Sequence, residues 1–488
     1  MFSSPYTVLN RVPGFEARGG AALIGTLAAA SVLLLSIPTA TARVWYVDKD
    51  NELGLEDGES WFTAFTAVQP AIEAAYGVYT TQNERQELWV AEGIYDEVRV
   101  SLVDADERDG TSEMVDTGSI VMREGVDLYG GFAGTEAARE QRDWKTHFTV
   151  LDGSRTRGDK AALHVLLGAN EVALDGFIVV GGDANEGAWL ATGIGGGLYN
   201  NATAFAINHC KFGENKAYYG GGAIANRPEG GVVVTDCTFE DNAGAISSYG
   251  TAQISRCNFA SNSPGAIGAT GTVTLEGCSF RGNNTPTGSG GAAAFWQALV
   301  MIRDCSFFDN SAVTAGAVLF SNGTGGEVIN CLFSQNTAER SGAVGVGTIR
   351  CDDDGNCGGP AIVFTNCTFA ANVATGELGG GAARSPKVAM FRNCIFWDNV
   401  PDQITDPNPP LDEQFRLRVE YSLVEGGWEG IGNLDADPLF IDSSNGDLRL
   451  RAGSPAIDAG TLDGAPEVDI RGVARPQGAG VDMGAYEY

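Results

Sequence analysis

The residues spaced most like a ligand set are Asp352, Asp354 and Asn356, which alternate in the run Asp352-Asp353-Asp354-Gly355-Asn356. Calcium takes oxygen ligands of this kind, but no Glu stands at the twelfth position to complete an EF-hand loop. A solvated acidic loop that holds no metal competes with the calcium reading. Cys351 and Cys357 flank the run and suit a local disulfide closing an acidic hairpin loop. Two further chemistries need paired groups. A glycosidase needs two carboxyls ~5–10 Å apart, and a lyase needs clustered carboxylates for calcium plus a base. Candidate carboxylates are Asp352 and Asp354, or those between Asp402 and Glu413. With only three His residues, no Ser-His-Asp constellation is assignable, and His209 sits at a chain corner that gives it a structural role. The expectation is no catalytic residue, no cofactor beyond possible calcium, and a chain that is not an enzyme.

Charge narrows the partners. The formal net charge is −31, and phosphate backbones are bound by Lys and Arg, so nucleic acid is excluded as a partner. Arg11 and Arg18 precede an apolar run from Ala21 to Ile37 and a small-x-small site at Ala40-Thr41-Ala42. This pattern reads as an export signal over residues 1–42. A retained anchor is the alternative, although the run is short of the ~20 residues a span needs. No second apolar segment of that length follows, so the mature chain is expected to be soluble, outside the cytoplasm and without a transmembrane span.

The elements that position these residues follow from an internal repeat. Cys210, Cys237, Cys257, Cys278, Cys305, Cys331, Cys367 and Cys394 each precede a Phe by two places: Phe212, Phe239, Phe259, Phe280, Phe307, Phe333, Phe369 and Phe396. Each precedes an Asn by five: Asn215, Asn242, Asn262, Asn283, Asn310, Asn336, Asn372 and Asn399. Three places before the Cys stands an apolar residue such as Ile207, Val234 or Leu275. Within a strand, alternation has period two. Apolar residues at −5 and −3 share one parity and those at 0 and +2 the other, so a corner must fall at −2 and −1. Asp236, Gly277, Asp304, Asn330, Asn366 and Asn393 occupy it and suit a turn. After each Asn comes a Gly-Ala-aliphatic segment, such as Gly244-Ala245-Ile246, that reads as a third strand.

A unit this small cannot bury its own apolar face and must stack on copies of itself. The chain is therefore expected to be all-β, a right-handed parallel β-helix of the pectate-lyase-like kind. Degenerate coils at Val172 to Gly182 and Leu417 to Gly427 extend the array to ten, a rod of roughly 50 Å. Stacking explains the columns. Phe forms a continuous buried file. Asn passes amide hydrogen bonds along the axis and is expected to accept left-handed backbone angles. Asp there would set like charges ~4.8 Å apart, at roughly 3–4 kcal/mol per pair. The Cys column is expected to hold small apolar thiols, although adjacent coils come close enough for bridging. After its aliphatic residue the third strand shows Ala225-Asn226, Ser247-Ser248, Gly268-Ala269, Leu319-Phe320, Gly345-Val346 and Arg384-Ser385. It carries no carboxylate pair.

Residues 43–150 are expected to form an N-terminal cap and first coils, with a plugging helix over Ala67 to Tyr76. Residues 151–430 are the repeats and 431–488 a C-terminal cap. The Gly-Gly-Ala-Ile and Phe-x-x-Asn pairing resembles the polymorphic outer membrane protein repeat. The tail Ser454-Pro455-Ala456-Ile457-Asp458-Ala459-Gly460, with Arg475-Pro476 and Val481 to Glu487, is similar to the choice-of-anchor Q domain. So are Gly130-Gly131-Phe132-Ala133-Gly134-Thr135-Glu136, Arg139, Gln141 to Trp144 and Leu174 to Phe177. The resemblance implies a secreted or outer-membrane-associated bacterial surface rod. Such a rod is adhesin-like or structural and meets carbohydrate or cell-envelope components. A polysaccharide lyase or glycoside hydrolase with a loop-borne site is the alternative. Unlike polymorphic outer membrane proteins, the chain is expected to carry no membrane barrel after the repeats.

Overall fold

A computed structural model describes residues 42–488 except 53, 105–113, 187–192, 348–361, 377–378, 386–388 and 407–416. The acidic run around Asp352, Asp354 and Asn356, the Cys351–Cys357 pair and most of the 402–413 loop lie outside the described residues.

The repeat builds the coil expected of it. In one turn, Gly231–Thr235 leads through Asp236 to Thr238–Glu240, then past Asn242 to Ile246–Ser248. Each strand pairs in parallel with its counterparts in the neighbouring turns. The second strands, from Gly93–Tyr95 to Leu423–Val424, form one twelve-stranded sheet. First and third strands share a 22-stranded sheet, because in two turns they run on without a break, at Ile267–Glu276 and Ala293–Arg303. The chain is a right-handed parallel β-helix. It has more turns than the repeat alone reveals, since Gly93–Tyr95 and Thr149–Asp152 pair in register without the Cys and Asn marks.

Two left-handed residues shape each coil of the repeat. One precedes the Cys, as at Asp236 (φ 53°), Asp304, Asn330 and Asn393, and the other precedes the Asn, as at Asp241 (φ 55°), Asp309 and Asp398. The ladder Asn itself is not left-handed, which corrects the expectation above. The chain reverses one residue earlier, leaving the Asn side chain free to point inward along the axis. Its amide then donates to the next Asn in the file, at 3.2 Å for Asn215 to Asn242 and 2.8 Å for Asn372 to Asn399.

The interior is regular. Successive Phe rings from 212 to 396 stack with centroids 4.7–5.3 Å apart and planes within 10°. The eight Cys of the repeat are buried and unbridged. The third strand is less open than its sequence suggests. Asn226, Ser248, Ala269 and Phe320 point inward, and the outward Ala225 and Leu319 are also buried, Leu319 beside Ala294, Ala315 and Trp296. This face is therefore no open platform for a polymer.

Both ends are covered, as an open coil would be an exposed sheet edge. The helix Val68–Gln82 turns Val68, Ala71, Ile72 and Ala75 into the core. Residues 58–65 close the edge of Arg43–Val47, with Tyr46 N–H donating to the Gly58 carbonyl at 3.0 Å. At the other end Leu434 bridges Leu423, and Trp428 packs on the core. The rest of the C-terminal segment runs back along the side of the rod. Phe440, Leu448, Leu450, Ala456 and Met483 cover Ala370, Ile395 and Leu423 on the outside of the twelve-stranded sheet. Corner residues anchor it: Asn330 donates to the Val468 carbonyl, Asn366 to Asp482 and Asn393 to Thr461, at 2.8–2.9 Å.

Candidate functional site

Among the described residues no three His, Cys, Asp or Glu side chains gather as a metal site. The cluster of unlike groups lies on the outer face of the N-terminal coils. Strand register places Tyr46, Trp89 and Tyr129 side by side in successive turns, with Asp175 next in line. Two places earlier in the register, on the same outer face, Glu87 lies beside Asp127. The segment Arg139–Trp144 folds over this surface and leaves an open cavity of about 430 Å³ lined by Tyr129, Arg139, Glu140, Arg142, Trp144 and Asp175.

Glycines let that segment approach. Gly131 has φ +89°, and a Cβ there would stand 2.7 Å from the Trp144 backbone. Gly176, with φ +85°, would place one 3.0 Å from the Arg142 guanidinium. Only residues without a side chain permit both the backbone angle and the contact.

Each arginine of the groove faces a carboxylate. Arg142 bonds the Asp175 carboxylate at 2.8 Å and donates to the Gly130 and Asp175 carbonyls. Arg139 pairs with Glu87 at 2.7 Å, and Arg85 with Asp127 at 2.7 Å. The guanidiniums of Arg139 and Arg142 both lie over the Tyr129 ring, and Arg142 also lies over Trp144. Such cation–π contacts strengthen as water is excluded. Burial would lower the Arg139 guanidinium, but Tyr129 and Glu87 outweigh it and hold the charge above its usual range. Burial, reinforced by Asp127, pushes the Tyr129 phenol well up, so it remains a neutral hydrogen-bond donor at physiological pH. His209 donates from Nδ1 to Asp175 Oδ1, 3.0 Å away, and lies against Trp144 with centroids 4.2 Å apart and planes tilted by 34°.

The sequence reading made His209 structural, and the structure shows which contacts hold it. Arg139, Arg142, Trp144 and Asp175 entered that reading only as marks of a resemblance, and Tyr129 did not enter it. A signal existed: an aromatic residue takes the outward place in Trp45-Tyr46-Val47, Leu88-Trp89-Val90 and Leu128-Tyr129-Gly130. Asp402, from the candidate loop, is exposed, and its carbonyl accepts from Gly381 N–H.

This is a right-handed parallel β-helix protein, and the comparisons agree with that class. The model of the right handed beta helix region matches residues 223–406. No curated protein sequence matches the chain. Among solved structures, pectate lyase Pel9A is 12% identical, with 92% of this chain and 97% of that one covered at a TM-score of 0.46. A GH87 α-1,3-glucanase from Streptomyces thermodiastaticus is 14% identical over 76% of this chain and 65% of that one, with a TM-score of 0.44. The surface adhesin PfbA of Streptococcus pneumoniae is 13% identical over 74% and 81%, with a TM-score of 0.38.

Proposed function

We propose that the mature chain is an exported β-helix rod of the bacterial surface or its surroundings. On this reading it binds carbohydrate in the Tyr129–Trp144 groove without cleaving it. The observation that carries this is the pairing of the groove's carboxylates. Glu87, Asp127 and Asp175 each face an arginine at 2.7–2.8 Å, which leaves the exposed Glu140 as the one carboxylate of the lining outside an ion pair. Glycoside hydrolysis needs two carboxyls in distinct protonation states, whereas binding needs aromatic surface and fixed donors. The export signal expected over 1–42 and the resemblance to polymorphic outer membrane protein repeats and choice-of-anchor Q domains support a surface rod. Among the described residues no helix is long and apolar enough to cross a membrane.

A second reading, a polysaccharide lyase or glycoside hydrolase, draws on the Asp175–His209 contact at the groove, a pair able to orient an imidazole for proton transfer. A panel of neutral and acidic polysaccharides separates the two. Retention on an immobilised glycan with no new reducing or unsaturated ends, lost in Trp144→Ala, is expected. Chain cleavage that disappears in His209→Ala would establish the enzyme instead.

A further inference from the structure

The groove at Tyr129 holds polar atoms that its ion pairs leave unused. Among the described residues, Tyr129 Oη, Arg139 Nε and Nη2 and Asp175 Oδ2 meet no hydrogen-bond partner. All three residues line the cavity. Asp175 is only 9% exposed, so its unmatched oxygen is a largely buried acceptor on the cavity wall. Buried polar groups left unsatisfied cost free energy, and a ligand's own polar groups can relieve that cost.

The charges beside these atoms set what they can accept. Two arginines, Arg139 and Arg142, stand against three carboxylates, Glu87, Glu140 and Asp175. Arg139 is held by Glu87 at 2.7 Å and Arg142 by Asp175 at 2.8 Å, while Glu140 stands exposed. A uronate or sulfate entering the groove would find each guanidinium already on a carboxylate, with Asp175 Oδ2 and Glu140 close by. Prising a pair open would leave its carboxylate uncompensated in a partly buried site. The chain's net charge of −31 repels such a ligand from a distance as well.

An amine fares no better at close range. The rings of Tyr129 and Trp144 already carry guanidiniums at 4.5–5.2 Å from their centroids, so an ammonium seeking either ring would meet like charge. The pairing continues along the same corner of the rod. Beyond His209 the next two corner residues, Asp236 and Arg256, bond each other twice at 2.8 Å.

We infer that the groove takes an uncharged glycan and rejects uronate-bearing and amine-bearing ones. The inference rests on the reading of the groove as a glycan site and names the class of glycan. A sugar hydroxyl donates one hydrogen bond and accepts others, which matches a wall offering a phenol, two free N–H groups and a free carboxylate oxygen side by side. A carboxylate ligand would satisfy the donors alone and an ammonium the acceptors alone.

Retention of the mature protein on three immobilised sets tests it: neutral gluco-, xylo-, manno- and galacto-oligomers, oligogalacturonate, and chitosan oligomers. Retention is expected on a neutral set alone, constant within about twofold from ~50 to ~500 mM salt, since no charged ligand group is screened. Glu140→Lys supplies a second readout at an exposed position that the fold tolerates. Reversing that charge should raise oligogalacturonate retention about tenfold or more. Stronger retention of the unsubstituted protein on oligogalacturonate or chitosan than on every neutral set, neutral retention that falls severalfold with salt, or a Glu140→Lys variant without the gain would each overturn the class and leave glycan binding standing. No retention on any set would overturn the glycan reading and this inference with it.

Discussion

Asn262, midway along the amide ladder, is the place to test what holds the coils in register. Its Oδ1 accepts from the backbone N–H and the Nδ2 of Asn242, both at 3.1 Å. Its Nδ2 donates to the Phe239 carbonyl at 2.9 Å and to Asn283 Oδ1 at 3.0 Å. Truncation to Ala removes all four. Asn242 Nδ2 keeps the Phe212 and Glu240 carbonyls, and Asn283 Oδ1 keeps the Asn262 N–H. The Asn242 N–H is left buried without an acceptor. One such orphan costs ~1–3 kcal/mol and each lost bond adds a fraction of that, so Asn262→Ala should destabilise by about 3 kcal/mol. Coupling in a solenoid is to nearest neighbours, so amide exchange should quicken first in the turns holding Phe239 and Phe280.

Asn262→Asp sharpens the test. A carboxylate still accepts from Asn242, but its second oxygen would face two other acceptors at ~3 Å in a buried site, a greater loss than in Ala. This Asp should hold its proton in the fold above the ~3.9 of the unfolded chain. The folded state then binds more protons than the unfolded one, and stability falls as pH rises past ~4. Denaturant unfolding at pH 4 and pH 7 reads both effects, with the exposed Asn258→Ala on the same turn as control. A loss under ~1 kcal/mol for Ala, or an Asp variant that is no worse than Ala at pH 7, would refute the claim that the ladder stabilises the stack.

Three further outcomes are expected. Arg475 and Glu487 form an ion pair at 2.8 Å with both side chains wholly buried, so Arg475→Met should cost ~3–5 kcal/mol and expose residues 440–488 to limited proteolysis. Burial raises the Asp469 carboxyl, but the N–H groups of Glu487 and Val473 together with Arg471 outweigh it and hold it below its usual value. Its stabilisation is therefore complete above ~4 and lost as acid takes the pH down through the lowered value, readable as release of the same segment in an acid titration. Gly131→Ala should disorder the Arg139–Trp144 segment, quench-accessibility of Trp144 rising and glycan retention falling together, because the new methyl meets the Trp144 backbone at 2.7 Å.

The coils were legible in the sequence because stacking sets like beside like. A Phe that meets the Phe of the next turn at 4.7–5.3 Å must recur at a fixed place, and so must an Asn whose amide needs an amide partner. The path of the C-terminal segment was not legible in this way, because Asn330, Asn366 and Asn393 serve both as left-handed corners and as anchors, and the first role accounted for them. The outward residue just after the Cys column held part of the missing sign. It is Lys211, Thr238, Asn258, Ser279 and Ser306 where the sheet is bare, and Leu332, Ile395 and Leu423 where the segment packs, whereas Thr368 under the same segment is polar and accepts from Ala485 N–H.

The groove escaped a reading by columns for a related reason. A regular stack repeats one side chain along its axis, so it can build a file of rings or amides but cannot bring an arginine, a carboxylate, an imidazole and a phenol to one spot. Unlike groups meet only where the repeat breaks. Here Phe177, Val179 and Gly182 replace Cys, Phe and Asn, and glycines at 131 and 176 admit a crossing segment. Strand order then brings Tyr129, Asp175 and His209 together from three successive turns. Sites in a solenoid are therefore best sought at its irregular turns, where local rules yield to other demands. The N-terminal coils, which carry neither the Cys nor the Asn mark, hold most of the groove.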